Sequence, residues 1–561
     1  MQYISTRGYE EKFTAAEAIL QGIAPDGGLF VPESIPQLKA RDWERLKQMD
    51  YAERAVFILS LFTDFSAEDL REAVQEAYSE LRFDPEPAPL VQLNPYSDRD
   101  FMLELWHGPT AAFKDLALQL LPHLMRLSME ETGTEEDYCI LTATSGDTGK
   151  AALEGFRDMP RTSVIVFYPT DGVSDMQKLQ MQTQRGENCH VFAVDGSFDD
   201  AQSEVKKLFA DEALQAELAE DQIKLSSANS INWGRLLPQI VYYCSVYAEF
   251  LKRELLEEDE RYDIVVPSGN FGNILAAWYS MQMGAPAGTL YCASNRNHVL
   301  TDFLRRGKYD RKRKFYKTNT PSMDILVSSN MERLLFELTD HDAEKVKSWM
   351  QALNENGEYK VDNKTLSEIK KSFKAAYAEE HLVIRTITDV YNEFDHVVDT
   401  HTAVGFAAER LLNSGQKKKD RRKTVYVATA SPFKFPDSVC RALFGKKAYK
   451  NADDKEMLEA ISEESDLEIP QGLAELFDLP IRHDTVIKKD EMRDAVIKAL
   501  SSETHSAEEA PAKPEGASDS AREARQVPDA EENGAAEETA EAGAEESQET
   551  AEGSGAEESE G

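Results

Sequence analysis

Between residues 101 and 429, short runs rich in β-branched and aromatic residues keep returning, separated by segments of helical length. The runs span 101–105, 138–142, 163–168, 190–194, 264–266, 289–293, 396–399 and 424–429. Such alternation predicts parallel βαβ units and so an α/β fold. In open sheets built this way, ligands bind where loops leave the carboxyl ends of the strands. The residues that follow each run are therefore the ones to read for chemistry.

Other segments frame this region. Residues 1–90 mix helical stretches at 52–62 and 67–81 with the turn Pro25-Asp26-Gly27-Gly28, and end on Pro85, Pro87 and Pro89. They predict a small N-terminal domain, followed by an α/β region over 91–500. Within that region 340–390 reads as charged amphipathic helices, and no repeat of solenoid period is visible. Residues 501–561 hold 19 acidic and three basic residues and no Phe, Tyr, Trp, Leu or Ile. A segment so poor in apolar surface cannot offset its ordering entropy, which predicts a disordered acidic tail.

Composition limits the function classes. Over 561 residues the net charge is −39, which sets the chain against nucleic acid. Basic clusters at 305–317 and 417–423 read as solvated surface on so acidic a protein. No stretch approaches the roughly 18 unbroken apolar residues of a membrane span, and no basic region followed by an apolar one marks a secretory signal. The expected compartment is the cytosol. Cys139, Cys189, Cys244, Cys292 and Cys440 stand singly, without zinc or disulfide spacing, so reduced buried thiols and no metal are expected.

Four loops carry candidate chemistry. In Trp106-His107-Gly108-Pro109-Thr110-Ala111-Ala112-Phe113-Lys114-Asp115, a turn after a strand opens a helix expected to run to about residue 127, with a possible kink at Pro122. Lys114 falls in its first turn, where the helix dipole opposes a cation. A solvated lysine gains nothing there, whereas a Schiff-base lysine profits, because its nucleophilic form is the neutral amine. The second loop is Thr142-Ala143-Thr144-Ser145-Gly146-Asp147-Thr148-Gly149-Lys150, whose hydroxyls and amides could hold a carboxylate at a helix start, or simply cap the helix. It is not a nucleotide-binding P-loop: two residues rather than four separate Gly146 from Gly149, and Ala151 stands where a hydroxyl is needed. Third, Pro267-Ser268-Gly269-Asn270-Phe271-Gly272-Asn273 lies between an apolar run and a helix, either a phosphate cradle or an ordinary turn. Fourth, Ser227-Ala228-Asn229-Ser230-Ile231-Asn232-Trp233-Gly234-Arg235 groups amide, hydroxyl and guanidinium donors suited to phosphate or carboxylate, although Arg235 could equally be a surface arginine.

In this order the four segments resemble the threonine synthase family, within the fold type II pyridoxal-phosphate enzymes. Further segments extend the resemblance over about residues 1–480: Gly22-Ile23-Ala24-Pro25-Asp26-Gly27-Gly28-Leu29-Phe30, Thr320-Pro321-Ser322-Met323-Asp324-Ile325, Ser328-Ser329-Asn330, His401-Thr402-Ala403-Val404-Gly405, and Thr429-Ala430-Ser431-Pro432-Phe433-Lys434-Phe435. Ser431 departs from the family, which usually has histidine there, and the acidic tail has no family counterpart.

The resemblance implies a fold type II catalytic region of two interleaved subdomains over 91–500, and a set of roles. Lys114 would carry pyridoxal 5'-phosphate and act as acid and base at the substrate carbons. Gly269, Asn270, Phe271, Gly272 and Asn273 would hold the cofactor phosphate, and Thr429 would face the pyridine nitrogen. Ser145, Gly146, Asp147 and Thr148 would line the substrate carboxylate and the ring oxygen, while Asn229, Ser230 and Arg235 would receive the substrate phosphate. The implied reaction takes O-phospho-L-homoserine and water to L-threonine and phosphate. The alternatives are a related phospho-lyase, a serine or threonine dehydratase, or a non-catalytic protein that recruits basic partners through its tail.

Overall fold

Two sheets divide the chemistry-bearing loops between them in the computed structural model, which describes residues 1–170, 173–257, 259–417 and 421–509. The larger sheet has six strands in the spatial order Phe373–Tyr377, Ala287–Ser294, Tyr262–Pro267, Thr424–Ala428, Ser97–Glu104 and Leu90–Asn94. All its pairings are parallel except the last, a hairpin at one edge. The second sheet runs Val486–Lys488, Cys189–Asp195, Thr162–Pro169, Asp137–Ala143 and Ile223–Ser226, parallel throughout. The central strands are buried on both faces by covering helices: Tyr262–Pro267 and Thr424–Ala428 are buried at every residue.

Seven of the eight β-rich runs are strands, with ends that differ by up to four residues from the runs. The exception, 396–399, is the link between the helices Glu380–Phe394 and Thr400–Leu412. Among the described residues its backbone pairs with no strand, and Asp399 caps the second helix by accepting from the amides of His401 and Thr402. Conversely, Phe373–Tyr377 lies inside 340–390, read as wholly helical, and is an edge strand of the larger sheet.

The helix expected from Lys114 to about 127 is two helices, Lys114–Leu118 and Leu121–Thr132. Pro122 has no N–H to give to the carbonyl of Leu118, so the first helix stops there. Gly155, on the helix Asp147–Phe156, packs against that carbonyl.

Contacts divide the chain into Met1–His505 and Ser506–Gly561. Both sheets lie in the first unit. Residues 1–90 are bound into it: Thr6 and Arg7 donate to Glu332, and Ser226 Oγ donates to the carbonyl of Leu20 at 2.9 Å. The last helix, Met492–Glu509, runs into the segment read as tail, and residues 510–561 lie outside the described residues. So do 418–420 of the second basic cluster. No helix among the described residues is long and apolar enough to cross a membrane.

Candidate active site

Lys114 opens its short helix directly after the strand Ser97–Glu104 and the loop that follows it, and its Nζ donates to Asp147 Oδ2 at 2.9 Å. Asp147 opens the helix after Asp137–Ala143 in the other sheet. The ion pair therefore joins one strand-to-helix loop from each sheet. Asp147 is 3% exposed, and its second oxygen lies 3.0 Å from Lys434 Nζ and accepts from Gln177 Nε2 at 2.7 Å. Ser322 Oγ donates to Oδ2 at 2.6 Å. Burial alone would raise the Asp147 carboxyl, but Lys114, Lys434 and Ser322 together hold it well below the usual carboxylate range. For Lys114, burial pushes the amine down, Asp147 pulls it up, and Arg235 and Lys434 push it down again; the net direction is below an ordinary lysine.

Asp147, read with its neighbours as lining the substrate carboxylate and the ring oxygen, lines the cleft and pairs with two lysines, as a buried carboxylate needs cations. Gly146, read with it, sits behind the cleft wall at φ 132°. A Cβ at Gly146 would lie 2.4 Å from Gln177 Cδ, so the missing side chain is what lets Gln177 reach Asp147. Ser145 and Thr148 do face the cleft.

The glycine loop leads from the strand Tyr262–Pro267 into the helix Gly272–Gln282, turning on Phe271 at φ 64°. Its carbonyls are tied off on the far side: Ser328 Oγ donates to that of Gly269 at 3.0 Å and Asn330 Nδ2 to that of Asn270 at 3.0 Å. A Cβ on Gly269 would come 2.8 Å from the carbonyl oxygen of Ser322, so the two segments close on each other only with glycine here. The first amides of the helix have no acceptor within it. Asn273 adds a further donor. Its Oδ1 accepts from the hydroxyls of Tyr242, at 3.0 Å, and Tyr243, which leaves Nδ2 buried without a partner. A helix start with such a spare donor fits a phosphate group.

A second anion-binding set faces the same cleft. Asn232 caps the helix Trp233–Lys252 by accepting from Gly234 N, and its Nδ2 anchors to the carbonyl of Ile19. Arg235 is thereby held inside, donating to the carbonyl of Ala228 at 2.7 Å and to Thr148 Oγ1 at 3.3 Å. No carboxylate pairs with it among the described residues. Burial lowers its guanidinium to about 10, which leaves it charged at neutral pH. Asn229 and Ser230 stand beside it, with Ser230 Oγ 3.2 Å from Ser329 Oγ.

Lys114, Ser145, Asp147, Thr148, Asn229, Ser230, Arg235, the loop Gly269, Asn270, Phe271, Gly272, Asn273 and Thr429 all line one cleft of about 1560 Å³. The turn around Gly22–Leu29 also lines it, as does Arg7. Thr429 accepts from Phe113 N at 2.9 Å through its carbonyl, which holds the loop after Thr424–Ala428 against the start of the Lys114 helix. Ser431 lies outside the cleft lining and caps the turn Pro432–Lys434 by accepting from Phe433 N.

Four residues of the site carried no sequence assignment: Gln177, Ser322, His401 and Lys434. His401 Nδ1 lies 2.9 Å from Asp399 Oδ1, and its Nε2 accepts from Ser322 N at 3.3 Å. Lys434 had a visible signal, a lone cation between aromatic residues in Pro432-Phe433-Lys434-Phe435, since a lysine in apolar company must be buried with a partner. Gln177 had none.

Comparison with known families matches the description "Threonine synthase N terminus" to residues 2–78, "Pyridoxal-phosphate dependent enzyme" to 81–430 and "Threonine synthase, C-terminal" to 402–496. Threonine synthase of Saccharomyces cerevisiae is 37% identical over 81% of this chain and 91% of its own length. The chain belongs to the threonine synthase family. Threonine synthase-like 1 of Homo sapiens is 38% identical over 79% of this chain, which spans 60% of that longer protein. Among solved structures, the PLP-bound threonine synthase of Brucella melitensis superposes with a TM-score of 0.76 at 34% identity, covering 89% of this chain and 99% of that one. The α/β, fold type II architecture expected from the sequence is thus the threonine synthase architecture.

Proposed function

We propose that this member of the threonine synthase family converts O-phospho-L-homoserine and water to L-threonine and phosphate. The observation that carries the reading is that two anion-binding sets and a buried lysine line one cleft. One set suits a cofactor phosphate. The other has no use in a dehydratase, whose substrate bears no phosphate.

Bound pyridoxal phosphate supplies an electron sink for the charge that builds up when substrate protons leave. Residues of the chain do the rest. Gly269, Asn270, Phe271, Gly272 and Asn273 hold the cofactor phosphate through backbone amides and Asn273 Nδ2, and Thr429 presents its hydroxyl to the pyridine nitrogen. Ser145 and Thr148 take the substrate carboxylate. Lys114 Nζ, driven toward its uncharged form, removes the protons at Cα and Cβ; one proton is returned at Cγ after phosphate leaves and one at Cα at the end. Arg235, Asn229 and Ser230 hold the phosphate as it leaves Cγ, with donors fixed in advance by the fold. Water then adds at Cβ. Five buried cysteines suit a reducing compartment, the cytosol.

Incubating the full-length chain, loaded with pyridoxal phosphate, with O-phospho-L-homoserine tests the reading. Threonine and inorganic phosphate should appear in equal amounts; release of a keto acid with ammonia would assign the chain to the dehydratases instead.

A further inference from the structure

Lys434 is 0% exposed, does not line the cleft, and cannot touch a substrate. Its Nζ has two partners, the carbonyl of Thr110 at 2.9 Å and Asp147 Oδ1 at 3.0 Å. Burying an ammonium costs several kcal/mol unless its charge is matched, so the placement asks for a reason beyond holding one carbonyl. We infer that Lys434 is the permanent counter-ion of Asp147, a positioning residue that lets Lys114 work as an uncharged amine.

The argument is one of charge conservation at a buried carboxylate. Asp147 offers one oxygen to each lysine. With Lys114 as its only cation, Asp147 would be left as an unmatched buried ion whenever Lys114 gave up its proton, and the pair would resist that loss. Lys434 removes the resistance, because Asp147 keeps a full ion pair and the hydrogen bonds from Gln177 and Ser322. Its own charge also repels a proton on Lys114, as does that of Arg235 from the helix Trp233–Lys252. Asp115 makes no direct ion pair with Lys434, although it feels that charge: it is fully buried and accepts from Thr110 N and Oγ1, and burial pushes its carboxyl up to about 6 against the pull of Thr110 and Lys434. His401 meets the group only through the backbone of Ser322.

The inference rests on reading Lys114 as the amine that carries the cofactor, and its test separates the two. Competitive amine labelling of the full-length chain before cofactor loading, from about pH 6 to about pH 11, with peptide mapping, gives the midpoint at which Lys114 becomes uncharged. In Lys434→Met that midpoint should rise by about one pH unit or more, a tenfold loss of free amine at neutral pH. Adding Asp147→Asn should bring it back to the starting value or below. A folded Lys434→Met chain with an unmoved midpoint, or a double variant that stays shifted, overturns the proposal. If Lys434→Met alone does not fold, the double variant should, since the unmatched carboxylate is gone; a double variant that also fails overturns it. Should borohydride fix no cofactor on Lys114 in the unaltered chain, the functional reading fails, while the labelling midpoints still decide the role of Lys434.

Discussion

A Cβ on Gly155 would sit 1.9 Å from the carbonyl oxygen of Leu118. That contact sets the spacing between the helix Lys114–Leu118 and the helix Asp147–Phe156, which begin with the two members of the central ion pair. No rotamer relieves a clash between a Cβ and backbone. Gly155→Ala should therefore cost at least about 3 kcal/mol in urea unfolding and weaken cofactor retention. An alanine variant as stable as the parent would show that the helices are free to part.

Lys114→Ala removes the proposed attachment point while vacating a cleft that its neighbours already frame. Borohydride reduction and peptide mapping should find the cofactor on the peptide containing Lys114 in the parent chain and on none in the variant. Turnover of O-phospho-L-homoserine should fall by at least about 10³-fold, since both attachment and proton transfer go with the amine. Adduct on any other lysine would remove Lys114 from the mechanism.

The sequence carries the loops more plainly than the way they meet. The strands Asp137–Ala143, Tyr262–Pro267 and Thr424–Ala428 were legible because each contains a short apolar run, 138–141, 264–266 and 425–428, buried on both faces. Phe373–Tyr377 was not, since Lys374 and two alanines give it the look of its helical neighbours and only pairing with Ala287–Ser294 makes it a strand. The two valines of 396–399 mimic a strand, yet the segment spends its polar groups on caps and pairs: His396 on Glu104, Asp399 on His401 and the following amides. Lys114 could be placed by its loop. That Asp147 faces two lysines could not, because Lys434 lies 287 positions further along the chain and no local spacing joins them.

Arg235 tests the second anion set. Its guanidinium is held by the Ala228 carbonyl and Thr148 and has no carboxylate to neutralise it among the described residues. Arg235→Gln should raise the KM for O-phospho-L-homoserine and weaken inhibition by inorganic phosphate, each by roughly 10- to 100-fold, the worth of a charge-assisted hydrogen bond or two. The absorbance of the bound cofactor should not change. Equal loss of cofactor binding would move Arg235 to the other phosphate.

Glu104 predicts how the fold responds to acid. It ends the strand Ser97–Glu104, with His107 Nε2 at 2.8 Å and His396 Nε2 at 3.2 Å from its oxygens. Burial alone would raise its carboxyl, but the two imidazoles bring it down to about 2 from the ordinary 4.5. A carboxylate more acidic in the folded chain than in the unfolded one stabilises the fold above the unfolded value and loses that contribution as pH falls through the folded one. At about 1.4 kcal/mol per unit, the contribution is on the order of 3 kcal/mol. Glu104→Gln should thus lose most at neutral pH, and the gap to the parent in urea unfolding should close as pH drops from about 4.5 toward about 2. A gap that stays constant over that range would trace the loss to the altered shape of the side chain rather than to its charge.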